Sequence, residues 1–193
     1  MRRLFVTALA ALSLGCAAPA LAQAPADPAV LLAAQKAAMA PLAAMDGVWR
    51  GPAWTVDQTG TKRLLTQTER IGSFLGGTVK VIEGRGYNAD GSVGFNALGV
   101  ISHDPAAKTW SMRSWAMGRS GDFPLEPTAD GYVWSIPAGP GAVVRYTAVI
   151  KNGAWREIGE YVAGDQPPRQ IFEMNLTRIG DTDWPNGGAV PMQ

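Results

Sequence analysis

From Gly47 to Ile179 the chain is punctuated so often that it has room for strands and little else. Runs of about ten residues, rich in β-prone side chains, are each closed by turn chemistry. Asp90-Gly91, Asp130-Gly131 and Asn152-Gly153 are the pairs that two-residue hairpins favour, because their primed turn types need positive φ. Asp104-Pro105 and Gly139-Pro140-Gly141 mark two further turns, and Gly72-Ser73-Phe74-Leu75-Gly76 interrupts the pattern as a short loop or helical turn. Strands are expected over 47–57, 62–71, 77–87, 92–102, 108–118, 131–137, 142–151, 154–163 and 169–179. Connections this short cannot hold a parallel crossover, which takes a dozen or more residues, so neighbouring strands must be antiparallel. Closing the sheet removes its two exposed edges. The predicted fold class is therefore all-β, an up-and-down antiparallel barrel of about nine to ten strands, with a β-sandwich as the alternative. Gly118 to Pro127, with two glycines and two prolines, reads as the longest irregular stretch, a plain connection or a lid over a barrel mouth.

Ahead of the barrel stand two different segments. Arg2-Arg3, the apolar run Leu4–Leu14 and Ala20-Leu21-Ala22 form a signal peptide over 1–22, with cleavage expected before Gln23. The expected location is periplasmic or secreted; a lipoprotein formed through Cys16 is the minor alternative. Residues 23–45 comprise a Pro/Ala-rich leader, expected to be mobile, followed by a helix of Ala, Leu, Met and Gln that Pro41 should break or restart. The barrel is assigned to 46–185 and a C-terminal tail to 186–193. No segment of the mature chain reads as a membrane span. Loss of Arg2 and Arg3 from the 17 basic residues leaves 15 against 16 acidic ones, net −1, which offers no electrostatic footprint for nucleic acid. Cys16, the one cysteine, departs with the signal, so the core must hold the fold without a disulfide.

Gly47-Val48-Trp49 opens the first strand and Arg178 lies near the end of the last. This arrangement resembles the lipocalin-like (calycin) superfamily, whose Gly-x-Trp tryptophan closes the barrel base under a late-strand arginine. A guanidinium over an indole face is favourable by ~1 kcal/mol. Gln67-Thr68-Glu69-Arg70, Leu75-Gly76-Gly77-Thr78, Val81-Ile82-Glu83-Gly84, Met112-Arg113-Ser114 and Gly159-Glu160-Tyr161 further resemble an uncharacterised family of exported bacterial proteins of that superfamily. The resemblance runs from Leu42 to about Pro185 and implies a fold rather than a reaction. Gly47-Val48-Trp49-Arg50-Gly51 is also similar to the start of nitrobindins, which hold haem through a histidine near the C-terminal end of the barrel. Here the one histidine, His103, falls after the fourth strand, in what reads as an exposed turn. No cofactor is therefore expected, haem included.

The candidate chemistry is a charge in the middle of most strands: Glu69, Glu83, Arg113, Arg145, Glu160 and Glu173, with Asn96 in addition. Strand side chains alternate faces, so these charges either all point to solvent or in part line the barrel. Arg113 shares its face with Ser111 and Trp115, and Glu160 shares its face with Ile158 and Val162, which favours a mixed interior for some of them. Buried ions must balance one another. A candidate ligand site then comprises Arg113, Trp115, Glu83, Asn96, Arg145, Tyr146, Glu160 and Glu173, with no metal site and no catalytic set singled out. The implied function is an exported barrel binding a small apolar or amphipathic molecule, largely apolar with a polar end. The alternatives are an acid–base enzyme of isomerase or cyclase type, using interior carboxylates and arginines, and a filled barrel acting as an envelope scaffold. Oligomeric state is left open.

Overall fold

The computed structural model describes residues 27–57 and 59–185. The expected signal peptide with Cys16, most of the expected leader and the tail at 186–193 lie outside the described residues. Helix α1 (Pro28–Met39) starts with proline in its first turn, where no N–H is needed, and the Asp27 carboxylate caps it by accepting the Ala29 N–H at 2.9 Å. Pro41 both breaks and restarts the helix: α1 gives way at Ala40 to a 3₁₀ helix, Ala40–Met45. Among the described residues this Pro28–Met45 segment alone has the length and mean hydropathy (1.3) of a candidate membrane span. It is bent at Pro41, and Met39, Leu42 and Met45 are buried in the barrel core.

Ten antiparallel strands follow: β1 (Gly47–Val56), β2 (Lys62–Phe74), β3 (Val79–Tyr87), β4 (Val93–Asp104), β5 (Thr109–Ala116), β6 (Arg119–Thr128), β7 (Gly131–Pro137), β8 (Ala142–Lys151), β9 (Ala154–Ala163) and β10 (Arg169–Gly180). Each pairs with its sequence neighbours and β1 pairs with β10, so the barrel is closed and up-and-down. The expected irregular stretch after Gly118 is instead β6, entered by a tight turn in which Met117 (φ 49°) and Gly118 (φ 78°) both take positive φ. Its prolines remove no ladder donor. Pro124 lies beyond the last β6–β7 pairing, Leu125 with Trp134, and Pro127 lies beyond the last β5–β6 pairing, Trp110 with Leu125.

The two ends of the barrel differ. At one end the helical segment lies across the strands: Trp49 Nε1 donates to Met45 O (2.9 Å), Trp110 Nε1 to Ala38 O (3.3 Å) and Gln35 Nε2 to His103 O (3.4 Å). Beneath it the buried Lys80 ammonium is paired with Asp46 (2.7 Å) and donates to Ser73 Oγ (3.0 Å). His103 belongs to this end as well. It is the penultimate residue of β4 and is buried, its ring against Trp110, rather than standing in an exposed turn. At the other end the β1–β2, β3–β4, β5–β6, β7–β8 and β9–β10 connections meet, with no helix over them among the described residues. Here β6 and β7 part, since Arg119–Pro124 and Ser135–Pro137 are not paired with each other.

Trp49 and Arg178 are cross-strand partners at the capped end. The guanidinium does not cover the indole, however. It donates from Nε (3.3 Å) and Nη2 (3.2 Å) to Asp46 O and reaches Asp181 (2.5 Å). The indole packs edge-on against Trp155, with ring centroids 5.6 Å apart.

Candidate functional site

Strand alternation puts Gly84, Gly86, Ala97, Gly99, Ser114 and Ala116 of β3, β4 and β5 on the inner face, opposite Tyr132, Trp134, Tyr146, Trp155 and Phe172 of β7 to β10. A wall of small side chains facing a wall of large ones leaves the barrel unfilled. The result is a cavity of about 570 Å³, of the size that holds a small organic ligand. Thr55, Arg63 and Asn88 line its outer end and mark the mouth on the side away from the helix.

The glycines are placed where inner side chains need room. Gly84 is the β3 partner of Glu69, and a Cβ there would stand 2.8 Å from Glu69 Oε1. Gly86 pairs with Gln67 in the same way, its Cβ position 3.0 Å from Gln67 Oε1. Gly159 is the partner of Tyr146, whose ring would meet a Cβ at 2.7 Å. Each glycine lets a larger neighbour lie across the strand, and the neighbours so accommodated form the polar and aromatic lining.

Deep in the cavity stand two carboxyl groups. Glu69, on β2, is buried and accepts Gln67 Nε2 at 2.7 Å. Burial pushes its pKa up to about 8; the Gln67 hydrogen bond opposes this, while the charges of Glu157 and Glu83 add to it. Glu157, on β9, is also buried, accepting Tyr132 OH at 2.8 Å on one oxygen and Trp134 Nε1 at 3.0 Å on the other. Burial raises its pKa, while these two donors oppose the rise. The Trp155 indole N–H is buried with no hydrogen-bond partner of its own. Tyr132 is held well above the usual phenol range by burial and by the Glu157 charge, so it stays a proton donor. Among the described residues no lysine, arginine or histidine is ion-paired with either glutamate. Above this floor Tyr146 stacks on Trp134 (4.5 Å, 16°), with Phe172 edge-on at 5.8 Å.

Of the residues expected from sequence to hold a ligand, Tyr146 lines this cavity and the other seven lie on the outer face of the barrel. Arg113 is exposed, paired with Asp122 across β5–β6, its guanidinium 5.5 Å from the Trp115 ring. Arg145 pairs with Glu160 at 2.9 Å, and Glu173 with Arg156 at 2.9 Å. Glu83 pairs with Arg85. Glu83, Asn96 and Trp115 do come together, but in an open outer groove with Leu98, Met117 and Arg119. The apolar neighbours at ±2 do not mark the inner face, because the outer surface carries its own apolar stripe, with Leu98, Trp115 and Met117 exposed. An exposed ion pair contributes little. Arg113→Ala is accordingly expected to shift stability by no more than about 0.5 kcal/mol, measured by thermal melts. A larger loss would show that Arg113 bears on the fold.

Glu69 was among the mid-strand charges noted in the sequence, whereas Glu157, Tyr132, Trp134 and Gln67 were not singled out. The available signal was parity: inner-facing Gly84, Gly86 and Gly159 put Glu83, Arg85 and Glu160 outside. Trp155 likewise carries Glu157 inside with it.

A closed antiparallel barrel around an interior cavity, capped at one end by an N-terminal helix, is a lipocalin-like architecture. The chain is similar in structure to a mycobacterial protein, the crystal structure of Rv2717c from M. tuberculosis, with a TM-score of 0.56 and 12% sequence identity. That match covers 74% of this chain and 97% of the other. At this identity the likeness concerns the fold. No protein-family model matches the chain, and no curated protein matches it in sequence.

Proposed function

We propose that the chain is an exported small-molecule-binding barrel whose ligand is largely apolar with one polar end. The observation that carries the reading is the interior cavity of about 570 Å³, aromatic along one wall and acidic at its depth. Binding pockets combine apolar walls with a few placed polar groups, and Glu69, Gln67, Glu157 and Tyr132 are such groups. Export rests on the Arg2–Ala22 signal pattern.

The test is titration with N-phenyl-1-naphthylamine, a neutral dye that brightens in apolar surroundings. Saturable binding with quenching of tryptophan emission is expected, because Trp134 and Trp155 line the cavity. Ser114→Phe should fill the space and weaken binding at least about tenfold while the β-sheet circular dichroism is retained. Dye binding that Ser114→Phe leaves unchanged would remove the cavity as the site.

A second reading has an observation of its own. A carboxyl that keeps its proton at neutral pH, lining the same cavity as a second, hydrogen-bonded glutamate, is a pairing acid–base enzymes use. Native mass spectrometry of protein taken from its own host separates the two: a retained, chemically unchanged ligand supports the binding barrel.

A further inference from the structure

We infer that the polar end of the ligand is a basic nitrogen, a protonated amine or amidine set between Glu69 and Glu157 at the cavity floor. The inference rests on the binding reading above and narrows it to a chemical class.

The cavity floor is acidic and lacks its counter-charge. Glu69 and Glu157 come from strands on different sides of the barrel, line the same space, and lie close enough for the Glu157 charge to act on Glu69. Protein barrels usually answer buried carboxylates with arginine or lysine, because an unpaired buried charge is expensive. Among the described residues the one basic side chain lining the cavity is Arg63, near the mouth, already bound to Asp57 at 2.8 Å. Lys80, the buried lysine, is occupied by Asp46 at the capped end. The groups that do touch the glutamates are neutral donors: Gln67 on Glu69, and Tyr132 with Trp134 on Glu157. They hold the carboxyl groups in place and leave the balancing of charge to whatever enters.

The walls agree with the floor. Trp134 and Tyr146 form a stacked pair beside Glu157, with Phe172 and Trp155 around them, and aromatic faces attract cations. An acidic head group in the same position would meet Glu157 with like charge in a dry site, which selects against it. Among the described residues the charged and titratable groups facing the floor are all acidic or phenolic: Glu157 on β9, Tyr132 on β7, Tyr146 on β8, and Glu83 acting through the β3 wall. A fatty acid is thus the wrong cargo and an amine of similar bulk is the right one.

Three molecules of one shape decide the matter: 4-phenylbutylamine, 4-phenylbutan-1-ol and 4-phenylbutanoate, each titrated at pH 7 by displacement of N-phenyl-1-naphthylamine from the full chain. The amine is expected to bind at least about tenfold more tightly than the alcohol, and the acid more weakly than both. Glu157→Gln should bring amine and alcohol within about threefold of each other. That variant can still accept Trp134 N–H on its amide oxygen and donate its amide N–H to the Tyr132 hydroxyl. The wild-type ranking stands without any variant. Binding of the acid as tight as that of the amine overturns the inference, as does an amine preference that survives Glu157→Gln. Dye binding with no displacement by the amine overturns it too. If the dye itself does not bind, the cavity reading falls and the inference with it.

Discussion

Between about pH 4.5 and pH 8 the protein is expected to lose on the order of 4 kcal/mol of folding stability through Glu69, and Glu69→Gln should remove most of that loss. The direction follows from which state holds the proton. In the unfolded chain Glu69 ionises near its ordinary value of 4.5; in the folded barrel burial holds it protonated up to about 8. Below 4.5 both states are protonated and the residue has no pH effect. Between the two values the unfolded chain has released a proton that the folded chain still binds, so each unit of rising pH favours unfolding by ~1.4 kcal/mol. Above about 8 both states are ionised and the loss is complete. Glu157, raised in the same direction, leaves a residual slope in the variant. Urea unfolding at a series of pH values in the wild type and in Glu69→Gln measures the difference directly. Two parallel stability curves would show that Glu69 is solvated or charge-compensated in the folded state.

This cost explains why the floor reads as a site rather than as filling. A barrel with Leu in place of Glu69 would avoid the penalty, and the Gly84 opposite could then carry a side chain of its own. Instead the sequence keeps a carboxyl, a glycine to make room for it and a glutamine to orient it. Local conflicts of this kind are expected where function, rather than stability, sets the residue.

Much of the fold was legible because hairpin turns carry their own chemistry. Asn152 (φ 54°) and Gly153 (φ 72°) show the positive φ that the Asn-Gly pair announces, and the expected strands at 142–151 and 154–163 are the observed ones. Met117-Gly118 makes the same kind of turn with no asparagine or aspartate to announce it. Combined with Pro124 and Pro127, that concealed β6. The barrel was readable without it, since the number of short connections, not any one strand, forces closure.

The site was less legible for a different reason. Alternation tells which residues share a face but not which face is inner, and amphipathic stripes occur on both sides of this barrel. Arg113 and Trp115 form one such stripe with Leu98 and Met117, outside; Met112, Ser114 and Ala116 form the other. Glycine is the residue that breaks the tie. A strand glycine on an exposed face has little reason to persist, whereas an inner one opposite a large side chain has a steric reason, as Gly84, Gly86 and Gly159 each show.

Trp49→Ala is expected to cost about 3–5 kcal/mol, lowering the melting temperature by roughly 10–15 °C, as for other buried tryptophans removed from a core. Three losses combine. Trp49 is 1% exposed, and alanine would leave a void beside Leu42, Met45 and Trp155 that the β1–β10 closure cannot collapse around. The edge-on contact with Trp155 at 5.6 Å goes, and with it a support for the strand that carries Glu157. The Met45 carbonyl loses its donor at 2.9 Å, untying the helical cap from the first strand. Trp49→Phe keeps most of the volume and should lose about 1–2 kcal/mol, chiefly the hydrogen bond. Arg178→Ala removes contacts to Asp46 O and Asp181 that are largely exposed, and should cost no more than about 1 kcal/mol. Chemical denaturation of the three variants tests the order. If Arg178→Ala matched Trp49→Ala, the guanidinium rather than the indole would be what closes the base of the barrel.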